Sequence, residues 1–405
     1  MRKPVSQREF VAMMAMLFAT IALSIDSMLP ALPAIAAELT PLDVNAAQLV
    51  VSAFFFGMGF GTLIAGPVSD AIGRKRVIAV CAGIYVLAAI ACSLATSLEA
   101  LLVARVIQGI GAAAPRVVGM AMVRDMYKGR EMARLVSFVM TIFMVVPALA
   151  PMMGQGILLF GTWRTIFAVL VMFGLLINAW VLWRLPETLA PAARRPLRFG
   201  LLWQAAKELS RHRIVLISTL CQSVTSGCLL ATISSQQGIF EETFHRASTF
   251  PLWFGFIAIC ASCGSFINSR VVVRVGMKAV ITAAYAVQVG MTLLILALDV
   301  SGIMPAVLVF PAHILWSICI FATMGLTMGN LNALAMEELG HIAGFAASMM
   351  TAAATVFSVL LAVPVGLAFN GTQIPLMVGV AVFSLVAFGL ILTVRKPPAG
   401  VFVPK

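Results

Sequence analysis

Of the fifteen acidic residues, Asp26 alone lies well inside an apolar run; the other fourteen fall at run ends or in the polar intervals between runs. A carboxylate charged at the centre of a lipid-embedded helix costs about 2.5–3.5 kcal/mol on insertion scales. Taken out of water, such a group holds its proton more tightly and can load and release it near neutral pH. The chemistry this suggests is proton or substrate coupling. The alternative is a static ion pair or a hydrogen-bonded packing residue. Two bases share the setting. Arg105 in the fourth apolar run lies at a depth similar to Asp26 by helical rise and is its natural partner. It either tunes the carboxyl by approaching and withdrawing, or only ties the first and fourth runs together. Arg116 stands eleven residues further along the same run, about 16 Å deeper. It either attracts an anionic group of a bound molecule or snorkels toward the nearer surface.

A second constellation spans Gly66 to Arg76, G-P-V-S-D-A-I-G-R-K-R, between two long apolar runs. So short a turn reads as a hairpin at a membrane surface, and Arg74, Lys75 and Arg76 put that surface on the cytoplasmic side. Asp70 needs a partner there, and a bridge that forms and breaks would be a conformational latch. Gly66, Asp70, Gly73 and Arg74, with Arg124, Asp125 and Arg130, are the expected latch residues. The expected partner of Asp70 is the start of the eleventh run, where the helix dipole is positive and Ala343, Gly344, Ala346 and Ala347 permit close approach. Arg130 and Arg134 are alternatives, and a simple helix-end cap is another. Candidates for the wall of a substrate cavity are Arg116, Phe54, Met58, Met144, Gln222, Gln236, Tyr285, His313 and Trp316, with Phe55, Phe56, Met140 and Gln288. Apolar walls with few polar groups suit drug-sized ligands, and Met adapts to varied shapes. His313 either titrates near neutrality or is satisfied by a neighbour.

These residues need elements to hold them. The chain has 405 residues, 61% apolar and 10% charged, with a mean hydropathy of +1.05. Apolar stretches of about 20 residues, the length that crosses a bilayer as helix, recur from end to end. Twelve spans are expected, near 10–30, 46–68, 77–95, 98–123, 135–159, 165–184, 214–236, 250–269, 279–298, 305–329, 343–368 and 374–394. Capping boxes at Ser6-x-x-Glu9 and Thr96-x-x-Glu99 open the first and fourth. The first has no small-residue cleavage site and reads as a retained helix. With the N-terminus inside, inner segments hold 23 of the 27 Lys and Arg, outer loops only Arg164 and Arg246. That asymmetry supports twelve spans with both ends cytoplasmic, and it argues against nucleic acid as the reason for the net charge of +12.

The longest polar interval, 185–213, is basic and carries Pro186, Pro191 and Pro196. It divides the chain into six-helix bundles at 1–184 and 214–405. The halves echo each other: Ile72-Gly73-Arg74-Lys75 matches Val275-Gly276-Met277-Lys278, with Val273 in place of Asp70. Two pseudo-symmetric six-helix halves point to an all-α secondary transporter that rocks about a site between them. The seven cysteines lie in apolar runs, and the Cys260-x-x-Cys263 pair has no further ligands nearby. No metal, cofactor or enzymatic activity is expected, and a phosphate-cradling glycine loop is absent from the sequence.

The Gly66–Arg76 stretch resembles the signature between helices 2 and 3 of the major facilitator superfamily. Arg105-Val-Ile-Gln-Gly-Ile-Gly111 resembles its helix 4 motif, and Pro147-Ala-Leu-Ala-Pro151-Met-Met-Gly154 its helix 5 antiporter motif. Ser24-Ile-Asp26-Ser-Met-Leu-Pro30-Ala-Leu-Pro33 is similar to the helix 1 pattern of the Bcr/CflA drug-resistance transporters. So are Val123-Arg124-Asp125-Met-Tyr127, Phe266-Ile-Asn268-Ser-Arg270 and Leu339-Gly340-His341-Ile-Ala-Gly344. Arg116, after Pro115, departs from the family pattern, where a small or apolar residue is expected. The resemblance implies a monomeric, proton-coupled exporter in the inner membrane, handling small molecules of the bicyclomycin, chloramphenicol or sulfonamide kind. The rival expectation is a transporter specific for one small, anionic metabolite, with Arg116 as its clamp.

Overall fold

The computed structural model describes residues 5–194, 200, 207–337 and 343–394, without the side chains of residues 133, 141–144 and 343. Arg2, Lys3, Arg195, Arg198, Arg395, Lys396 and Lys405 of the charge count lie outside the described residues. So do residues 339–342 of the Leu339–Gly344 pattern and the side chain of Met144.

Among the described residues twelve helices are long and apolar enough to cross a membrane. They are α1 (Gln7–Asp26), α2 (Leu49–Ile72), α3 (Arg74–Ser93), α4 (Leu98–Met126), α5 (Gly129–Leu158) and α6 (Trp163–Arg184) in one half. The other half holds α7 (Arg213–Gly238), α8 (Phe250–Val275), α9 (Met277–Val300), α10 (Ala306–Met336), α11 (Ala343–Leu367) and α12 (Ile374–Leu392). Outward-facing side chains such as Leu87, Val103, Leu176, Leu294 and Val382 are exposed and apolar, as a lipid-facing surface requires. The end bearing the α2–α3 turn carries Arg74, Lys75 and Arg76 and is the basic end of the bundle.

Inside the first half α1 packs on α4, α5 and α6, α2 on α4, and α3 on α4 and α6. Adding six to every number gives the contacts of the second half: α7 on α10, α11 and α12, α8 on α10, and α9 on α10 and α12. The halves meet through α2 against α11 and α5 against α8, a pair related by the same rule. The two bundles are therefore parallel repeats, as the echo in the sequence suggests. The hairpins agree in detail. Gly73 and Gly276 take φ of +107° and +86°, a region open to glycine and costly for other residues. Just beyond each, Lys75 donates from Nζ to the Leu185 carbonyl after α6 at 2.9 Å, and Lys278 donates to the Val394 carbonyl after α12.

The helices differ from the expected spans mainly at their ends. α5 begins at Gly129, not 135, α8 runs to Val275 and α10 to Met336. The added turns carry Arg130, Glu131, Arg134, Arg270, Arg274, Asn330 and Asn332. Hydropathy marks the hydrocarbon layer, and backbone hydrogen bonding continues beyond it. Ser6 Oγ accepts from the Glu9 N–H at 3.2 Å, as the capping box requires. At α4 the cap is Ser97, accepting from Ala100 N–H at 3.2 Å, so the Thr96 box is displaced by one residue. α1 stops at Asp26, short of the expected Pro30. Residue 30 is where the Asp26 carbonyl would find its i+4 donor, and proline has no N–H to give. The chain continues through a 3-10 turn at Leu29–Ala31 into a short helix, Leu32–Leu39.

Candidate functional site

Asp26 is thus the last residue of α1, at the break that Pro30 imposes. It is 4% exposed, and among the described residues its carboxylate forms no ion pair. The helix beside it is held very close. A Cβ on Gly154 of α5 would lie 2.1 Å from the carbonyl oxygen of Ser27, so only glycine lets the end of the α5 proline motif rest on this turn.

Arg105 does not pair with Asp26 in this conformation. It is fully buried and donates from Nε to the Val50 carbonyl at 3.0 Å and from its two terminal nitrogens to the Ser24 carbonyl at 3.1 Å and Gln108 Oε1 at 2.8 Å. Its guanidinium stacks on Phe54, 4.5 Å from the ring centroid, with Phe167 at 5.8 Å. Backbone carbonyls and ring faces thus take the place of a carboxylate, and the side chain does tie α1, α2 and α4 together. Phe54, expected on a cavity wall, is the platform under Arg105. Gln108 was missed as a partner; its signal was its place three residues along the helix from Arg105.

Between the halves lies a cavity of about 290 Å³. Its walls are Ile21 of α1, Met58 and Thr62 of α2, Ala113, Arg116, Val117, Met120 and Arg124 of α4, Met140 of α5, and Gly344, Ala347, Ser348, Thr351 and Thr355 of α11. It reaches the basic end at Arg124 and Gly344, near the start of α11. At the opposite end the halves are closed by hydrogen bonds. Asn45 Nδ2 donates to the Leu367 and Phe369 carbonyls at 3.1 and 2.7 Å, Ser235 Oγ to Gln48 Oε1 at 3.3 Å, and Gln155 Nε2 to the Ser248 carbonyl at 3.2 Å. Asp26 does not line the cavity. It lies five residues beyond Ile21, about 7.5 Å by helical rise, toward the closed end. Arg116 does line it and is exposed there.

At the basic end Arg74 is the hub. It bonds Asp70 Oδ1 at 2.5 Å, Asp125 Oδ2 at 3.1 Å and Ser69 Oγ at 2.6 Å. Among the described residues the partner of Asp70 is therefore Arg74 of its own hairpin, and not Arg130 or Arg134; the residues leading into α11 lie outside the described ones. The positive φ of Gly73 reverses the chain so that residues four apart meet without a continuous helix between them. Glu187, just past α6, accepts from the N–H groups of Arg74 and Lys75 at 2.9 and 3.2 Å and so caps α3. Its signal was negative: G-R-K-R offers α3 no Ser, Thr, Asp or Asn cap, so an outside acceptor was needed. Gly66 makes only ordinary contact, since a Cβ there would lie 3.6 Å from Val117. Arg124 lines the cavity instead of joining the cluster. Arg130 lines a separate groove beside Gln7, Arg8, Glu131 and Arg134.

The remaining expected wall residues bond within the second half. His313 Nδ1 lies 2.8 Å from Gln373 Oε1 and its Nε2 3.1 Å from Gln236 Oε1, while Gln236 Nε2 donates to Ser317 Oγ at 2.9 Å. Trp316 Nε1 donates to Thr292 Oγ1 at 2.9 Å, Gln222 Nε2 to Asn332 Oδ1 at 3.1 Å, and the Tyr285 hydroxyl meets Thr225 Oγ1 at 2.7 Å. The gap beside Tyr285 and Gln288 is only about 10 Å³, room for a water at most. Gln222, Gln236, Tyr285, His313 and Trp316 are thus corrections to the expected cavity. Polar groups in an apolar span find each other when no water is present, and composition cannot separate that use from ligand binding.

The model of the Major Facilitator Superfamily matches residues 12–363. The chain belongs to that superfamily. It is 32% identical over 336 residues to an uncharacterized MFS-type transporter, YdgK, of Bacillus subtilis, covering 81% of each chain. It is 30% identical over 286 residues to a bicyclomycin resistance protein homolog of Haemophilus influenzae, covering 69% of this chain and 71% of that one. Among solved structures its fold is similar to the xylose transporter XylE from E. coli in a partially occluded inward open conformation, with a TM-score of 0.73, 12% identity and 97% and 99% of the two chains covered. It is similar also to the nucleoside transporter NupG, with a TM-score of 0.76, 14% identity and 95% and 99% covered. This member of the superfamily is a multi-pass membrane transporter and not an enzyme.

Proposed function

We propose that this transporter is a proton-coupled exporter of small drug-like molecules, of the Bcr/CflA kind, working as a monomer by alternating access. The observation that carries the reading is Asp26: a buried carboxylate without an ion pair among the described residues, on the turn that joins the first helix to the closed end. A proton taken up there from the far side and released on the near side would accompany outward movement of cargo. One charge moving inward across about 100 mV is worth about 2.3 kcal/mol, equivalent to about a 50-fold gradient. The excess of Lys and Arg at the basic end supports placing it, and both termini, in the cytoplasm of an inner membrane. The cavity then faces inward. Residues 185–213 join the bundles 1–184 and 214–405 as a cytoplasmic linker. The Asp70–Arg74–Asp125 cluster is the latch that steadies this state, and its capping acid Glu187 ties the linker to it.

In vesicles carrying the purified protein, an imposed acid gradient drives chloramphenicol or bicyclomycin across the membrane, and Asp26→Asn abolishes that movement while the protein stays monodisperse. Undiminished gradient-driven movement in the variant overturns the coupling role. The second reading, a transporter dedicated to one small anionic metabolite, rests on Arg116 in the cavity. Drug susceptibility screens in a pump-deficient host separate it from the first by breadth of protection.

A further inference from the structure

Arg116 and Arg124 both face the cavity, and both are exposed. Among the described residues neither guanidinium makes an ion pair, and no carboxylate lines the same space. Asp125, next to Arg124 in sequence, is taken by Arg74 at 3.1 Å. Met120 stands midway between the two arginines at the i, i+4, i+8 spacing that makes one helix face, and their Cα atoms are about 12 Å apart along the axis. The outer arginine is at the mouth and the inner one is deep, so the pair forms a positive path into the cavity. An amphipathic wall faces it: Met58 and Met140 on the first half, Thr351 and Thr355 on α11.

Three properties of the space act together. Unpaired positive charge between low-dielectric walls concentrates anions and repels cations. Guanidinium presents a planar fork suited to a carboxylate, sulfonate or phosphate. Methionine accommodates apolar bodies of varied outline. We propose that the cavity binds amphipathic organic anions, with the acidic group on Arg116, the apolar body against Met58 and Met140, and Arg124 drawing the anion in at the mouth. A body of about two fused rings fits within the volume of about 290 Å³. Cationic drugs are excluded by the same charge. This deepens the transport reading and rests on it for the cavity being the cargo site. Binding at equilibrium needs no gradient, so its outcome is independent of the Asp26 experiment.

The test uses a matched pair of probes, naphthalene-2-sulfonate and naphthalene-2-sulfonamide, which share one body and differ in charge. Binding is measured by titration calorimetry on the full-length protein in neutral nanodiscs. The sulfonate is expected to bind at least tenfold more tightly than the sulfonamide, and to weaken with added salt while the sulfonamide does not. Arg116→Ala should bring the sulfonate down to the affinity of the sulfonamide, Arg116→Lys should keep part of the preference, and Arg124→Ala should weaken the sulfonate less than Arg116→Ala does while flattening its salt dependence. Equal affinities in the wild type, no sulfonate binding, or a preference that survives Arg116→Ala each overturn the proposal. The wild-type comparison stands even if a variant fails to fold.

Discussion

The two halves share one frame and differ in charge. Helix contacts, the positive-φ glycine turns and the lysine bonds to the carbonyls past α6 and α12 repeat from one to the other. Yet the deep charges Asp26, Arg105 and Arg116 all belong to the first half. At comparable depth the second offers amides, hydroxyls and one imidazole, of which Gln222, Gln236, Tyr285, His313 and Trp316 bond within that half. The hairpins diverge likewise. Asp70 and Arg74 anchor a four-residue cluster with Asp125 and Glu187, whereas the corresponding Val273 and Met277 carry no charge. A repeat preserves what the backbone needs to pack.

Removing the hub should show this divergence most strongly. Arg74→Ala leaves Asp70 and Asp125 without their cation and strips a charge-assisted bond from each. Because Asp70 is half-exposed, solvent screening limits the cost, to about 3 kcal/mol at most by the range for hydrogen bonds to charged groups. Met277→Ala, at the matching place, should cost less than about 1 kcal/mol. Unfolding midpoints of both variants in one detergent decide it; equal losses would mean that the cluster adds nothing to the first hairpin. The next contrast concerns α1 on α5 and α7 on α11. A methyl on Gly154 meets backbone, the Ser27 carbonyl at 2.1 Å, whereas one on Gly227 comes no nearer than 3.1 Å to Leu361 Cβ, a contact eased by a shift of a few tenths of an ångström. Gly154→Ala should therefore cost about 2 kcal/mol by the range for overpacking, and Gly227→Ala less than half that. Gly154→Ala should also impair transport, because the displaced backbone adjoins Asp26. A Gly154→Ala protein with wild-type melting and transport would show that the two contacts are equally loose.

Much of the frame was legible in the sequence because a bilayer makes helix length and apolar run nearly the same quantity. Where they part, at the charged first turns of α5 and the last turns of α8 and α10, the expected ends fell short. The cavity was legible only in part. Met58, Met140 and Arg116 face it, but for Arg116 the sequence left anion binding and snorkelling open, since both need only a base near one end of a span. Glu187 was out of reach, because its partners Arg74 and Lys75 are over a hundred residues away and only the fold brings a linker acid to a helix start. The bond between Asp70 and Arg74 was hidden for the opposite reason. Its spacing is the ordinary helical one, but Gly73 interrupts the helix, and only its left-handed φ restores the contact.

The smallest effect belongs to what the halves still share. Tyr85 of α3 meets Ser24 Oγ of α1 at 2.7 Å, and Tyr285 of α9 meets Thr225 Oγ1 of α7 at 2.7 Å. Each hydroxyl partner also donates to a carbonyl one turn back in its own helix, Ser24 to Thr20 and Thr225 to Cys221, so neither is orphaned when the tyrosine oxygen goes. Tyr85→Phe and Tyr285→Phe should each cost about 1 kcal/mol, the ordinary net value of a neutral hydrogen bond, and should agree within about 0.5 kcal/mol. Unfolding midpoints of the two variants provide the comparison. A Tyr85→Phe loss several times larger would mean that this hydroxyl supports the buried Arg105, which donates to the Ser24 carbonyl at 3.1 Å, and that the charged half has drawn even the shared frame into its own network.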